Sequence, residues 1–234
     1  MYQSMAQAKI KLAIFDLDGT LLNTIEDLGR ACNYALEACG CPVRGLEEYN
    51  MLVGRGIYNL FRAALPEGMK SEETVLKMKS HFVPYYNEHK TDFTRPYPGI
   101  PEMLETLEHR GIAIAVASNK YQEGTEALVQ RFFGERKFVK VLGQRDGKPI
   151  KPDSGIVREI EKAYGEILPE EVLYAGDSDV DMETGLNAGV VTAGACWGFR
   201  SREELEAWHP QLLCACPEEL GKAILDWPEA GYGK

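Results

Sequence analysis

Two aspartates, Asp16 and Asp18, stand two positions apart directly after the apolar run Leu12–Phe15. Their carboxylates would repel each other and lose hydration at the end of a buried strand, so some partner must compensate them. Because side chains alternate along an extended chain, both can reach one site while Leu17 turns to the core. Alone, such a pair is just as typical of a turn at a strand end.

Five further polar residues follow other apolar runs or precede a helix. Ser118 and Asn119 end one run, Asp177 and Asp181 follow another, and Lys151 lies in a loop before a helix. Taken singly, each is an ordinary helix cap or a solvated loop residue. Because right-handed crossovers bring the carboxyl ends of parallel strands to one edge of a sheet, together they predict a ligand site there.

Carboxylates gathered at that edge would repel one another unless a divalent cation lay between them. Oxygen ligands favour Mg²⁺, and the candidate metal ligands are Asp16, Asp18, Asp177 and Asp181. A carboxylate beside Mg²⁺ can attack phosphorus to form an aspartyl-phosphate, while a second carboxyl moves the protons. We therefore expect a small phosphorylated metabolite as the partner. The candidate residues for binding it are Thr20, Arg55, Ser118, Asn119 and Lys151.

The elements that must position these residues are short apolar runs that alternate with helical patterns. The runs are continuous, which is typical of strands in a parallel sheet that is covered on both faces. They predict strands over 11–15, 112–118, 137–143, 171–176 and 190–194, with an edge strand at 212–216. Helices between them, such as 101–111 and 153–165, indicate an α/β fold with a doubly wound parallel sheet.

The segment from 21 to 95 breaks this alternation, because it contains helical patterns and no convincing strand. We interpret it as a small helical domain inserted after the first strand, with the chain returning through the proline-rich stretch 94–101. The predicted domains are therefore an α/β core of residues 1–20 and 96–234 and a helical insertion of residues 21–95.

Composition limits the partners and the location. The 234-residue chain has a net charge of −10, which argues against a nucleic-acid surface, because phosphate-backbone binding needs clustered Lys and Arg. No apolar run approaches the ~20 residues that span a bilayer, and the N-terminus has no signal-peptide pattern. We expect a cytoplasmic protein, a monomer or a homodimer, that binds neither nucleic acid nor membrane.

The motifs "DLDGTL", "ASN", "KPD" and "GDSDVDM" occur in the order and context of the haloacid dehalogenase superfamily, which the chain resembles over nearly its whole length. The resemblance implies a Rossmann-like core with Asp16 as nucleophile and Asp18 as acid/base. It also implies Ser118 and Lys151 as phosphate-binding residues. Mg²⁺ would lie on Asp16, the backbone carbonyl of Asp18, and Asp177. For Asp181, direct ligation and support of the ligands both stay open.

Further motifs, "VGRG", "YYNEH", "PYPGI", "SNK" and "GQRDGKPIKPD", are similar to phosphoglycolate phosphatase-like enzymes. The insertion then corresponds to the superfamily's small cap, which closes over the site to exclude water and select substrate. "KPDS" departs from that pattern, with Ser154 where proline is frequent. Arg55, between two glycines, either reaches the substrate from the cap or lies in solvent at a turn; the sequence favours neither.

The sequence predicts a Mg²⁺-dependent phosphatase that hydrolyses a small phosphomonoester, 2-phosphoglycolate or similar, through an aspartyl-phosphate. A sugar-phosphate mutase resembling β-phosphoglucomutase, built on the same site, is the alternative enzyme. A non-enzymatic metabolite-binding regulator is a third hypothesis, and the intact set of Asp16, Asp18, Lys151 and Asp177 argues against it, since a pure binder needs no nucleophile.

Overall fold

A sheet of six parallel strands forms the centre of the protein, whose computed structural model describes residues 9–227. The strands of the chain are Leu12–Phe15 (β1), Leu22–Asn23 (β2), Arg95–Pro96 (β3), Ala113–Tyr121 (β4), Phe138–Gln144 (β5), Val172–Gly176 (β6), Val191–Ala195 (β7) and Leu212–Cys214 (β8). The central sheet has the order β5–β4–β1–β6–β7–β8. The chain runs outward from β1 on one side and then on the other, so the direction of winding reverses at β1.

Helices cover both faces of this sheet, which confirms the predicted doubly wound α/β fold. The side chains of β1 alternate between two apolar clusters, Phe15 facing one and Ile14 the other. The helices of the described chain are Ile25–Ala38 (α1), Tyr49–Leu52 (α2), Ile57–Ala64 (α3), Glu72–His89 (α4), Ile100–His109 (α5), Gln122–Phe133 (α6), Gly155–Tyr164 (α7), Asp179–Ala188 (α8), Arg202–Glu206 (α9) and Pro217–Leu225 (α10). α5, α6 and α10 pack on the first cluster, and α7 and α8 on the second. Among residues 9–227, no helix is both long and apolar enough to cross a membrane.

The predicted strands are present, with small differences at their ends. The largest difference is at β4, which continues to Tyr121 and therefore contains Ser118 and Asn119. These two residues lie inside a strand, so the reading of them as caps of the next helix is wrong. The predicted edge strand is shorter than expected and ends at Cys214.

Helices α1 to α4 lie between β2 and β3 and bury their own apolar cluster, which includes Leu36, Tyr49, Phe61 and Phe82. We call residues 25–89 the helical segment. They fall within the predicted insertion of residues 21–95, whose boundaries stay a prediction. The periodic apolar residues of α1 and α3 form this separate core, because one amphipathic helix cannot cover its apolar face alone.

The sequence prediction of no strand between 21 and 95 is wrong at its edges. β2 pairs antiparallel with β3, Leu22 opposite Pro96 and Asn23 opposite Arg95. Two residues are too short to give a recognisable period, so only the tertiary pairing defines these strands. The buried carboxylate of Asp27, in α1, accepts hydrogen bonds from three donors of the return segment, residues 93–97: the backbone N–H groups of Phe93 and Thr94 and the Thr94 hydroxyl.

Candidate active site

The carboxyl ends of β1, β4 and β6 lie side by side at the reversal of the winding, where open α/β sheets bind their ligands. Phe15 pairs with Val116 on one side and with Ala175 on the other. This register sets the first residues beyond β1 and β6, Asp16 and Asp177, next to the polar end of β4. Three sequence-separated motifs therefore meet at one edge of the sheet, as the sequence predicts.

Asp16 is buried, and its carboxylate is held by two donors. Its Oδ1 accepts a hydrogen bond of 2.7 Å from the Leu17 amide and lies 2.9 Å from Lys151 Nζ. Within residues 9–227 neither contact uses Oδ2, which is left for a ligand or a substrate. Burial first, and then the carboxylate of Asp181, raise the pKa of Asp16 well above its ordinary value, against the opposite effect of Lys151.

Lys151 lies completely inside the site, and its ammonium contacts two carboxylates. Nζ is 2.7 Å from Asp181 Oδ1 and 2.9 Å from Asp16 Oδ1, and it donates to the Tyr174 hydroxyl and the Ala117 carbonyl at 3.0 Å. Burial acts to lower the pKa of Lys151, but Asp16 and Asp181 outweigh it and raise the pKa well above its ordinary value. Lys151 is therefore a charged lysine against the candidate nucleophile.

Asn119 fixes the backbone around Lys151. Its Oδ1 accepts from the Lys151 amide at 2.9 Å, and its Nδ2 donates to the carbonyls of Lys151 and Gly54 at 3.1 and 3.0 Å. The side-chain amide is thus used by the protein, so the structure gives Asn119 a positioning contact; phosphate binding by it stays a prediction. Ser118 lies beside it with Oγ accepting from the Lys120 amide, which leaves its hydroxyl hydrogen for an anionic oxygen.

Three buried carboxylates, of Asp16, Asp177 and Asp181, offer oxygen atoms that all lie within 4.8 Å of one another. When ionised, they place three negative charges against the one ammonium of Lys151. Burial, and then Asp181, raise the pKa of Asp177 to about 7. A hard divalent cation fits this oxygen donor set and its excess negative charge. These residues therefore form a candidate metal centre.

Two glycines let the backbone approach Asp177 closely. A Cβ atom at Gly19, whose φ of +87° already favours glycine, or at Gly198 would come within 2.2 Å of Asp177 atoms. Hydrogen bonds of 2.8 Å from the Thr20 hydroxyl and the Phe199 amide hold the two Asp177 oxygens. Thr20 is therefore placed on a candidate metal ligand; phosphate binding by Thr20 stays a prediction.

Asp181 has donors on both of its oxygens. Oδ1 accepts from Lys151 Nζ and the Tyr174 hydroxyl, and Oδ2 accepts from the amide and hydroxyl of Ser178. Ser178 is the N-cap of α8, and the two residues form a capping box. Of the two roles that the sequence leaves open, these hydrogen bonds favour support of Lys151 over direct ligation.

Asp18 does not belong to the three-carboxylate cluster, and it pairs with Lys120. Its Oδ2 lies 3.0 Å from Nζ of Lys120, and the two side chains are 10% and 2% exposed. Its Oδ1 is buried without a hydrogen-bond partner among residues 9–227. Lys120 was not among the site residues predicted from the sequence. Its position directly after Ser118 and Asn119, at the polar end of a predicted core strand, is the feature that could have identified it.

The structure does not bring Arg55 to the other candidates. Its guanidinium is half exposed and pairs with Asp179, at the start of α8. From the core, buried Arg200 reaches back and donates to the carbonyls of Met51 and Val53 at the end of α2. Arg200 is not among the residues predicted from the sequence. These arginines join the helical segment to the core, and binding of substrate by Arg55 stays a prediction.

A small cavity lies between the helical segment and the sheet edge. Its polar lining comes from the core and includes Asp16, Asp18, Ser118, Asn119 and Lys120. Its apolar lining comes from the helical segment, the residues being Leu28, Val53, Ile57, Leu60 and Phe82. The polar side of this cavity is therefore the side of the candidate catalytic residues.

Comparison with known proteins gives consistent matches. Residues 13–195 match the family model of the haloacid dehalogenase-like hydrolases. A phosphoglycolate phosphatase of Vibrio parahaemolyticus is 30% identical over 94% of this chain and 98% of its own. An N-acetylmuramic acid 6-phosphate phosphatase of Pseudomonas aeruginosa is 32% identical over 92% and 95%. The crystal structure of a candidate phosphoglycolate phosphatase from Lactobacillus delbrueckii subsp. bulgaricus matches with a TM-score of 0.86 and 31% identity over 93% and 99%.

Proposed function

This chain belongs to the haloacid dehalogenase-like hydrolase family, and we propose that it is a Mg²⁺-dependent phosphatase of small phosphomonoesters that works through an aspartyl-phosphate on Asp16. It is a phosphoric monoester hydrolase similar to the phosphoglycolate phosphatases, with about 30% identity over most of its length. The observation that carries the mechanism is the pairing of each aspartate with a different lysine, Asp16 with Lys151 and Asp18 with Lys120. Two carboxyl groups in two environments can take the two different roles that the reaction needs.

In the first step, Oδ2 of Asp16 attacks phosphorus, and the bond from phosphorus to the ester oxygen breaks. The leaving oxygen takes its proton from Asp18, whose Oδ1 has no other partner among the described residues. In the second step, Asp18 takes a proton from water, the water oxygen attacks phosphorus, and phosphate leaves with Asp16 restored. The Ser118 hydroxyl would hold a phosphoryl oxygen, and the charge of Lys151, 2.9 Å from Asp16, would offset the negative charge of the phosphoryl group.

The residues that would hold Mg²⁺ are Asp16, Asp177 and the backbone carbonyl of Asp18. When bound, the ion supplies positive charge to the phosphoryl oxygens and offsets the excess carboxylate charge of the site. Asp181 and Thr20 contribute by holding Lys151 and Asp177 in position.

The substrate that we propose is 2-phosphoglycolate or a phosphomonoester of similar size. The support comes from relatives named for that substrate and from the small cavity that Asp16, Asp18 and Ser118 line. A relative of equal similarity is named for N-acetylmuramic acid 6-phosphate, so a panel that includes both esters ranks them by kcat/KM. Release of inorganic phosphate, and no conversion of glucose 1-phosphate into glucose 6-phosphate, separates this hydrolase from the mutase alternative.

The mechanism is tested with Asp16→Asn, which keeps the side-chain shape and removes the nucleophile. We expect turnover to fall by at least about 10⁴-fold, with an unchanged circular dichroism spectrum. In the wild type, acid quenching during turnover followed by borohydride reduction should modify residue 16 alone, because borohydride reduces an acyl-phosphate and not a free carboxylate. The exposed Asp146 provides a matched control, since Asp146→Asn should keep full activity. Turnover retained by Asp16→Asn would overturn the mechanism.

A further inference from the structure

Lys120 places a buried ammonium group at the boundary between the core and the helical segment. Its side chain is 2% exposed, its Nζ lies 3.0 Å from Asp18 Oδ2, and it stands 4.8 Å from the ring centre of Tyr86. Within residues 9–227, that carboxylate is its one hydrogen-bond acceptor. Since an ammonium carries three N–H donors, Lys120 has hydrogen-bonding capacity that the described protein does not use.

The cavity beside Lys120 has charged residues on one side and apolar residues on the other. Its charged lining residues among those described are Asp16, Asp18 and Lys120, and the wall opposite them is apolar. Both Lys120 and Asp18, whose Oδ1 is also unpartnered, line this cavity. A buried donor without an acceptor is costly, so a molecule that brings an anionic oxygen to Lys120 gains a strong hydrogen bond.

We propose that Lys120 determines specificity by binding an anionic group, a carboxylate, on the leaving alcohol of the substrate. This inference rests on the proposed function, because the contact of Asp18 with the ester oxygen sets where the leaving group lies. One hydrogen bond from that oxygen to Asp18 Oδ1, the width of the carboxylate and the 3.0 Å from Oδ2 to Lys120 together give a reach of at most roughly 8 Å. The carboxylate must therefore be on the carbon that carries the ester oxygen, or on the next one.

A purely structural role for Lys120 makes a different prediction. The ammonium also fixes Asp18 and packs on the Tyr86 ring of α4, so its loss would disturb the acid/base residue or the helical segment. Such damage would slow every substrate by a similar factor. Specificity, in contrast, is measured as the ratio of kcat/KM for two substrates. Damage that slows both substrates equally does not change this ratio.

The test uses 2-phosphoglycolate and 2-hydroxyethyl phosphate, two esters of nearly equal size of which only the first carries a carboxylate. For the wild type we expect kcat/KM to favour 2-phosphoglycolate by roughly 10- to 150-fold, the range of a hydrogen bond to a charged group. In Lys120→Met this preference should fall to within about threefold of unity, with KM for 2-phosphoglycolate rising most. The half-buried Lys90, directly after α4, provides the control, since Lys90→Met should keep the preference.

Each result decides the matter. An equal loss for both esters in Lys120→Met, with the preference retained, would overturn the inference and leave the phosphatase standing. If Lys120→Met does not fold, the wild-type ratio alone decides, because a wild type without a preference for the carboxylate overturns the proposal. A wild type that hydrolyses neither these esters nor any other phosphomonoester of the panel would overturn the proposed function itself.

Discussion

Adding Mg²⁺ to the EDTA-treated protein should stabilise it by an amount that grows with pH. The reason is Asp177, a buried carboxyl whose pKa is raised from 3.8 to about 7 by burial and by Asp181. A folded state with the higher pKa holds its proton more tightly than the unfolded chain does. The stability that this proton gives is present in full below about pH 4 and is lost as pH rises to about 7.

The size of the effect follows from the same values. The difference between 3.8 and about 7 corresponds to about 4 kcal/mol of the free energy of unfolding, at ~1.4 kcal/mol per pH unit. Mg²⁺ competes with the proton for this carboxylate. The ion should therefore bind weakly near pH 5 and tightly at pH values above about 7. At a concentration of 100 Kd, it should add about 2.7 kcal/mol, or about 5–10 °C in Tm for a chain of this size.

The assay is thermal unfolding at pH 5, 6 and 7.5, each in EDTA and in excess Mg²⁺, for the wild type and Asp177→Asn. Subtracting the variant from the wild type removes the titration of all other groups. We expect the Mg²⁺-dependent rise in Tm to be largest at pH 7.5 and to be absent in Asp177→Asn, which should also be the more stable protein in EDTA at that pH. An equal rise in Tm at every pH, or one that survives in Asp177→Asn, would refute the reasoning.

Three further changes test other parts of the structure. Gly198→Ala sets a Cβ within 2.2 Å of Asp177, so the Mg²⁺ concentration for half-maximal phosphatase activity should rise at least about tenfold; an unchanged value would contradict the close packing. Asp27→Ala leaves three hydrogen-bond donors of the return segment without an acceptor. It should lower the free energy of unfolding, measured in urea, by about 2–4 kcal/mol. A loss below about 0.5 kcal/mol would show that water replaces the carboxylate. Arg55→Ala removes a largely exposed ion pair with Asp179, so stability should change by less than about 1 kcal/mol and kcat/KM by less than tenfold. A larger fall in kcat/KM would instead mean that Arg55 reaches the substrate.

The inner strands of the sheet could be predicted because they are buried on both faces. Every residue of β1, β6 and β7 is buried, and such strands are mostly apolar runs that can be recognised without any periodicity. The short pair β2 and β3 could not be predicted, since it consists of two residues on each side and exists through tertiary pairing alone. The role of Asp27 in binding the return segment could not be predicted either, because an acidic residue in the first turn of a helix normally faces solvent at the positive end of the helix dipole.

The gathering of the site residues could also be predicted, because parallel strands must bring their carboxyl ends to one edge. The partner of each side chain could not, because it depends on the loops beyond the strands. Thr20 and Asn119 illustrate this. Both lie in the site, but the Thr20 hydroxyl donates to Asp177, and the Asn119 side chain hydrogen-bonds the backbone of Lys151. A motif fixes which residues meet, and tertiary geometry decides which atoms stay available for a substrate.

The aspartates at the end of β1 show the difference most clearly. From the sequence, Asp16 and Asp18 share one site and one compensating cation, since alternation along the strand directs both to the same side. In the structure they diverge: Asp16 lies 2.9 Å from Lys151, within the three-carboxylate cluster, while Asp18 lies 3.0 Å from Lys120 and outside it. Asp16 shares the ammonium of Lys151 with Asp181, whereas Asp18 pairs with Lys120, so the two aspartates do not depend on one lysine. The contact between Asp16 and Lys151 is therefore separate from the contact between Asp18 and Lys120.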